Sequence, residues 1–563
     1  MRWWLAFLVL TVLYLSRLDG WVLQDPDEGR YAEIPREMIE SGDWLTPRLN
    51  YVNYFEKPPL LYWAIATAFT VFGQSEGVAR LVPALSALAC IALTYLLGTW
   101  LLSRRAAFFG SVLLGTSPLF FAFSQGLVID MLLTALLTAV LVAFLAAHRA
   151  TSKTPWVLAA ALASGAAVLA KGLIGLVIPG TIALAFLAVS RDWITTKAFL
   201  SWKPIALFLA VTVPWFALVS SRNPEFLEFF FLHEHLRRFA SDVGHPEGPL
   251  YYLPVLFLGA LPWTLMFSGL AFSGEARSAA VRIPREAVLF LGLWAGIVLV
   301  FFSLASSKLA GYILPAFPPL ALLAGAWVDE MSEARVFKKA LSINAAALLS
   351  LSAVALVVSL AGVTATGAIA EAFRFEPQDV RALAAALGWC GVVVALVLLV
   401  HGALARRGRA GSDFAFVATA FAVALALTAA IEARAILKTS YVVAEVARER
   451  LAVGEQLVAY KILMQGLPYY TGERVVMVDY AGEIWHGAKH ASDRQAFFWS
   501  KLHQLVDAWA ARPLLLVTKT SRLEELREIL VPPPVVLVQD RDRVLLGREV
   551  DVPADESASD RSS

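Results

Sequence analysis

The sequence predicts a polytopic α-helical membrane protein that carries a small α/β domain near its C-terminal end. Of 563 residues, 58% are hydrophobic and 16% are charged, whereas soluble domains carry about 25% charged residues. Apolar runs of roughly 20 residues, long enough to cross ~30 Å of hydrocarbon, recur up to residue 430. Beyond that point the pattern changes to short β-branched runs, which are typical of strands.

The apolar runs predict about thirteen transmembrane helices. The first run has a basic start and no small-x-small cleavage site, so it is interpreted as a retained helix. The pair on either side of Lys171 consists of two short runs. The predicted spans are 3–18, 80–102, 106–124, 127–147, 156–170, 172–190, 203–220, 251–271, 287–304, 309–327, 340–362, 383–402 and 413–430.

The orientation follows from basic residues in the short loops, which stay on the cytoplasmic side. Pairs such as Arg104 with Arg105, and "RRGR" at 406–409, share one side if the N-terminus is cytoplasmic. The loop 19–79 and everything after residue 430 then lie outside. A transmembrane domain over 1–430 with an outer C-terminal domain is predicted.

The C-terminal region alternates strand-like and helix-like segments. "QLVAY", "RVVMVDY", "PLLLVTK" and "VVLVQD" are predicted strands, separated by helical stretches. They predict an α/β domain over 431–550, followed by a polar, disordered tail over 551–563. Cys90 and Cys390 fall in apolar runs, so no disulfide framework is predicted. The net charge of +2 gives no sign of a nucleic-acid partner.

The first outer loop, 19–79, concentrates charge in "DPDEGRYAEIPREM" and in "YFEKPPLLYW". Helical pairing among Glu33, Arg36 and Glu37 explains part of this charge. Asp27, Arg30 and Lys57 are stronger candidates for function, because they begin and end a loop whose tail looks amphipathic.

A carboxylate beside an Arg and a Lys at the membrane surface suits transfer of a sugar from a polyprenyl phosphate. Positioned cations stabilise the charge that builds on the departing phosphate, and a carboxylate can act as a general base toward the acceptor. This chemistry requires no nucleotide, metal or other cofactor.

Three ionisable residues lie inside apolar runs. Inserting an ionised aspartate at the centre of a transmembrane helix costs about 2.5–3.5 kcal/mol, so Asp130 is a candidate for the site. The alternative is that Asp130 caps its helix at the membrane surface, where this cost nearly vanishes. Lys171 is interpreted mainly as a side chain that extends to the headgroups. Lys308 lies four residues before Tyr312, on what should be one helix face, and is predicted to face a phosphate.

The segment "HEHLRRF" offers histidines without a third zinc ligand at a suitable spacing, so no metal site is predicted. His233 with Arg237, and His235 with Arg238, share helix faces. They form a candidate acceptor-binding or anion-binding rim, and a solvated interfacial helix is the alternative.

The segments "DEGRYAEIPREMIESGDWLTPRLNYVNYFEKPPLLYW" and "KLAGYILPAFPPL" resemble those of the bacterial aminoarabinose transferases. These lipid A-modifying enzymes are related to the dolichyl-phosphate-mannose protein O-mannosyltransferases. The similarity continues in the family's order through "SQGLVIDMLL" to "QGLPYYTGERVVMVDYAGEIWHG". It implies a GT-C fold in the bacterial inner membrane, a polyprenyl-phosphate sugar donor, inversion at the anomeric carbon and an outer-face active site.

Carried over to this sequence, the resemblance assigns Asp27 as the essential acid and candidate base, and Asp130 as a second acid. Arg30, Lys57 and Tyr312 would hold the donor phosphate, with Glu56 beside them. Because a lipid A phosphate is already ionised at neutral pH, Asp27 positions the acceptor in an alternative interpretation. In the C-terminal domain, three residues either line an acceptor cleft or serve structure: Gln465, Tyr469 and Glu483.

The expected function is transfer of 4-amino-4-deoxy-L-arabinose from undecaprenyl phosphate to lipid A by a monomer, a lipopolysaccharide modification linked to polymyxin resistance. One alternative is another polyprenyl-phosphate-linked sugar, or a glycan or protein acceptor. A second is a polyprenyl-lipid transporter, but transporters place charges near the midplane of repeated halves. The charges here cluster in the predicted outer loops.

Overall fold

A computed structural model describes residues 3–230, 246–264, 267, 282–331, 335–373, 377–404, 439–451, 455–480 and 482–548, with single positions between 417 and 427. The chain divides into two compact units. The membrane unit comprises Met1–Val22, Ile34–Pro47 and Phe55–Lys438. The α/β unit comprises Leu23–Glu33, Arg48–Tyr54 and Thr439–Ser563. Two pieces of the first loop therefore belong to the α/β unit. A single boundary at residue 430, as predicted from the sequence, does not separate the two units.

Helices account for the described part of the chain before residue 405, apart from loops and one short hairpin. They are α1 (Trp3–Leu15), α2 (Asp27–Ser41), α3 (Leu60–Phe72), α4 (Glu76–Leu101), α5 (Arg104–Thr116), α6 (Pro118–Gln125), α7 (Ile129–Arg149), α8 (Thr154–Lys171), α9 (Ile174–Ser190), α10 (Trp193–Phe199), α11 (Trp202–Arg222), α12 (Tyr252–Gly259), α13 (Arg285–Leu304), a 3-10 helix (Ala310–Ala316), α14 (Phe317–Met331), α15 (Arg335–Thr364), α16 (Thr366–Phe373) and α17 (Pro377–Leu404).

Among the described residues, six helices are long and apolar enough to cross a membrane, or seven if one bent pair counts as a span. The polytopic helical fold is confirmed, and the count of thirteen spans stays a prediction. The span predicted at 413–430 and the tail at 551–563 lie almost entirely outside the described residues.

Three predicted spans are not single straight helices. In the span at 251–271, α12 ends at Gly259 and a turn follows at 260–262. The span at 106–124 is the pair α5 and α6, which bends by 59° where Pro118 starts a new helix at its first position. The span at 309–327 begins as the 3-10 helix, and only then continues as α14. Lys308 and Tyr312 therefore do not share an α-helical face, and that expectation was wrong.

A buried arginine holds the start of the first loop inside the membrane unit. Arg80 of α4 is 0% exposed and donates hydrogen bonds to the carbonyl oxygens of Leu18 and Trp21, both at 2.8 Å, and of Val22 at 3.2 Å. Its guanidinium lies 4.7 Å from the centre of the Trp21 ring. These bonds satisfy the buried charge and fix where the loop leaves α1.

The α/β unit is built on a six-stranded sheet. Its strands are β3 (Gln456–Tyr460), β4 (Val476–Val478), β5 (Phe498–Trp499), β6 (Leu514–Lys519), β7 (Val535–Asp540) and β8 (Arg543–Gly547), and β1 (Arg48–Leu49) pairs with β2 (Val52–Asn53) in a separate hairpin. The strand order in the sheet is β5-β4-β3-β6-β8-β7. Strands β3, β4, β5 and β6 are parallel, and β7 and β8 form an antiparallel edge. The helices are α18 (Tyr441–Leu451), α19 (Gly466–Thr471), α20 (Trp485–His490), α21 (Arg494–Phe497), α22 (Leu502–Ala511) and α23 (Leu523–Ile529). The strand segments predicted from the sequence are confirmed.

Buried polar contacts attach the loop pieces to the rest of the α/β unit. The Asn50 side-chain amide donates to the Val475 carbonyl and accepts from the Val475 N–H, both at 2.8 Å. The Leu23 N–H donates to the Tyr470 hydroxyl at 2.7 Å. At Gly29, a Cβ atom would lie 2.4 Å from the backbone nitrogen of Gly466, so only glycine permits this approach of α2 to α19.

Candidate functional site

Several of the candidate site residues form two clusters, one inside each unit. The first, in the α/β unit, centres on Arg30. Its Nη2 atom lies 2.8 Å from Glu483 Oε2 and 3.7 Å from Asp27 Oδ1. Glu483 Oε1 accepts a 3.0 Å hydrogen bond from the Gln465 amide. Asp27 and Arg30 are neighbours because they are three residues apart on α2, whereas the other two side chains come from the far end of the chain.

The sheet explains why Gln465 and Glu483 meet. Gln465 follows β3, and Glu483 lies in a 3-10 turn (Gly482–Ile484) after β4. These two strands are parallel neighbours, so the segments that leave their carboxyl ends emerge at the same sheet edge, where α/β folds commonly bind ligands.

The Arg30 guanidinium is also held by aromatic rings. It lies 5.9 Å from the centre of the Tyr31 ring and 5.8 Å from that of Tyr54, within the range of cation–π attraction. The Arg30 side chain is 11% exposed, Glu483 is 18% exposed, and Asp27 is 57% exposed. Arg30 is thus a largely buried, oriented cation, and Asp27 is the member of this cluster that faces outward.

Asp25, beside this cluster, is buried and anchors the loop within the α/β unit. Its carboxylate accepts hydrogen bonds from the Gly466 N–H at 2.8 Å and from the Ser440 hydroxyl, and Arg543 Nη1 lies 3.5 Å away. Burial raises the pKa of Asp25, against the opposing effects of Ser440, Arg543 and Gly466. Folding therefore disfavours the negative charge itself, and the contribution of Asp25 to stability comes from its hydrogen-bond acceptors.

We expect Asp25→Ala to destabilise the α/β unit by about 1–3 kcal/mol, the cost of leaving buried donors unpaired. Asp25→Asn should cost much less, since an amide keeps an acceptor and a raised carboxyl pKa means that losing the charge favours folding. Hydrogen–deuterium exchange of β3 and α19 in the full-length protein measures both. Asp507→Ala, on the exposed surface of α22, is the control, and equal losses for the Asn and Ala variants would contradict this assignment.

The second cluster lies in the membrane unit and joins Asp130, Lys171 and Tyr312. The Lys171 ammonium donates to the Asp130 carboxylate and lies 4.5 Å from the centre of the Tyr312 ring. The Lys171 and Asp130 side chains are 10% and 14% exposed. Asp130 is in the first turn of α7 and Lys171 ends α8, so each charge also complements its own helix dipole.

A glycine permits the close approach at this cluster. A Cβ atom at Gly311 would lie 2.9 Å from Asp130 Cγ and 2.4 Å from the Phe123 ring. The 3-10 helix can therefore pass against the start of α7, and that contact brings Tyr312 to the ion pair.

The interpretation of Lys171 as a side chain that extends to the headgroups was wrong, because it is largely buried and paired with Asp130. Asp130 does not cap its helix, because the N-cap residue of α7 is Val128 and no side-chain hydrogen bond caps that end. The assignment of Asp130 to the site stays a prediction. Lys308 is 3% exposed and donates to the carbonyl oxygens of Glu247 at 2.8 Å and Ala305 at 2.5 Å. Its phosphate-facing role stays a prediction.

Lys57 and Glu56 lie together in the membrane unit. The Lys57 ammonium donates to the Glu56 carbonyl oxygen at 2.9 Å and lies 4.0 Å from its carboxylate. The predicted anion-binding rim of His233, His235, Arg237 and Arg238 lies outside the described residues.

Lys171 and Glu483 are the site candidates that sequence reasoning undervalued. The sequence contained an indication of function for each of them. An ionisable side chain in an apolar run is a candidate for function, and Glu483 lies in the "DYAGEIWHG" segment that resembles the family. What was missing was the partner, which lies far away along the chain.

Residues 56–217 match the family model described as dolichyl-phosphate-mannose-protein mannosyltransferase. Residues 443–548 match the model of the aminoarabinose transferase C-terminal domain. With the helical fold and the charged clusters, these matches define the class as a polytopic membrane glycosyltransferase. An undecaprenyl phosphate-α-4-amino-4-deoxy-L-arabinose arabinosyl transferase of Yersinia pestis is 33% identical over 414 residues, which cover 72% of each chain. The chain belongs to this family of arabinosyl transferases.

Two further similarities agree. The relative of the same name from Pectobacterium carotovorum is 35% identical over 58% of this chain, and the chain spans 59% of that relative's length. The crystal structure of ArnT from Cupriavidus metallidurans bound to undecaprenyl phosphate matches with a TM-score of 0.83 and 31% identity, covering 96% of this chain and 97% of that one. This likeness covers both units.

Proposed function

We propose that this protein transfers 4-amino-4-deoxy-L-arabinose from undecaprenyl phosphate to lipid A on the periplasmic face of the bacterial inner membrane. Membership of the arabinosyl transferase family is the observation that carries the proposal. The Cupriavidus protein was solved with undecaprenyl phosphate bound, which supports the same carrier for this chain. The N-terminus is cytoplasmic in this proposal, and the α/β unit is periplasmic.

The reaction is a single inverting displacement. An oxygen of the acceptor attacks the anomeric carbon, the bond from that carbon to the phosphate oxygen breaks, and undecaprenyl phosphate leaves with the electron pair. Arg30, Lys57 and Tyr312 hold the donor phosphate, with Glu56 beside them, because positioned donors stabilise the charge that develops there. Asp27 accepts a proton from the acceptor or orients it. The proposal includes no metal or other cofactor.

Lipid A from a Gram-negative host that lacks its own aminoarabinose transferase tests this function. Expression of the gene should add the mass of one aminopentose per modified phosphate, measured by mass spectrometry, and should raise resistance to polymyxin. A different added sugar mass would replace the donor sugar in the proposal. No added mass, with protein present in the membrane, would contradict the proposed donor and acceptor pair.

A further inference from the structure

We infer that Glu483, held by Gln465, is a positioning residue that aims the Arg30 guanidinium at the donor phosphate. The inference rests on the proposed polyprenyl-phosphate donor. It assigns to Glu483, in the C-terminal part of the α/β unit, an indirect part in donor binding, because this side chain acts through Arg30 and does not touch the donor.

The Arg30 guanidinium contacts two carboxylates at unequal distances. Both carboxylates, Glu483 and Asp27, contact the same nitrogen, Nη2, and Glu483 is nearer by 0.9 Å, at 2.8 Å against 3.7 Å. A guanidinium is planar and presents its N–H groups in a fixed fork. Holding Nη2 at Glu483, with the guanidinium 5.9 Å and 5.8 Å from the centres of the Tyr31 and Tyr54 rings, therefore fixes the direction in which the whole group points.

The Glu483 carboxylate is itself largely buried and held in place. An exposed ion pair contributes little and is easily exchanged, but this carboxylate is 18% exposed and its other oxygen accepts from Gln465. The amide fixes the carboxylate, and the carboxylate fixes the guanidinium. Asp27 is more than half exposed, so it does not restrain Arg30 in the same way.

The direction in which donor affinity changes when the Glu483 carboxylate is removed distinguishes an orienting role from a merely neutralising one. A carboxylate that merely neutralised Arg30 would compete with the donor phosphate, and its removal would tighten binding. A carboxylate that orients Arg30 loses binding when it is removed, because the flexible side chain must then be ordered by the ligand itself.

The experiment measures the affinity of full-length protein in nanodiscs for undecaprenyl phosphate. We expect Glu483→Gln to weaken binding about tenfold and Glu483→Asp to restore part of it. On an Arg30→Gln background, Glu483→Gln should change the affinity less than twofold, because Glu483 acts only through Arg30. The KM for the donor should rise with the dissociation constant, while kcat falls less.

The matched control is Asp493→Asn. Asp493 forms an ion pair with Arg474 in the same unit, and Arg474 also lies against aromatic rings, those of Tyr51 and Phe497. This variant should bind undecaprenyl phosphate like wild type. A similar loss in the control would show a general effect on the α/β unit and would overturn the inference.

Unchanged or tighter binding by Glu483→Gln would overturn the inference, as would an equal loss with and without Arg30. Binding of undecaprenyl phosphate requires neither the sugar nor lipid A. If these affinities change as expected while lipid A gains no aminopentose, the proposed sugar or acceptor fails and the role of Glu483 stands. Wild-type protein that does not bind undecaprenyl phosphate would overturn the donor class and the inference together.

Discussion

Replacing Asp27 with Asn is expected to lower sugar transfer by about 10²–10⁴-fold, the range that a positioned acid or base contributes. The protein should still insert and purify at wild-type yield, because Asp27 is 57% exposed and exposed substitutions change stability little. Arg30 should keep its contact with Glu483, which is 2.8 Å in the unsubstituted protein. The loss is therefore assigned to the missing carboxylate and not to a displaced arginine.

Lipid A mass spectrometry and initial rates with purified protein measure this loss. Glu40→Gln is the control, since Glu40 lies on the same helix with similar exposure and pairs with Arg36 at 2.7 Å; it should transfer sugar at the wild-type rate. An Asp27→Asn protein that remained active would remove both the base and the positioning role from Asp27.

Breaking the Asp130–Lys171 pair is expected to have the second large effect. Lys171→Met leaves a largely buried carboxylate without its cation, which costs about 3–5 kcal/mol of stability and should abolish transfer. Adding Asp130→Asn removes the unpaired charge and should recover most of the stability, since a buried ion pair can be replaced by neutral groups at little cost. Transfer should remain lost in the double variant if the pair serves the reaction.

Thermal unfolding in detergent and lipid A mass spectrometry separate the two effects. Arg105 and Asp329 provide the matched control, because this pair in the same unit is 2.8 Å apart with similar burial. Arg105→Met with Asp329→Asn should transfer sugar normally. A stable Asp130→Asn, Lys171→Met double variant that transferred sugar at the wild-type rate would show that this pair is only structural.

Much of the fold was predictable from local pattern. A run of apolar residues long enough to cross the bilayer can satisfy its backbone only as a helix, and most described helices lie where such runs occur. The breaks were harder to predict. Pro118 starts α6 after a bend, and the segment after Lys308 begins as a 3-10 helix that contains Pro315. Such breaks are hard to predict from the sequence because the packing of neighbouring helices determines how a proline is accommodated.

By itself, the sequence determined the helical membrane class, the α/β character of the C-terminal region and the closeness of Asp27 and Arg30 in one charged segment. Each of these depends on residues close together in the chain or on the composition of one segment. Only the tertiary structure decided that Arg30 pairs with Glu483, and that Lys171 turns inward to Asp130 and Tyr312. A charged side chain takes whichever partner lies within a few ångströms, and the packing of distant segments determines that partner.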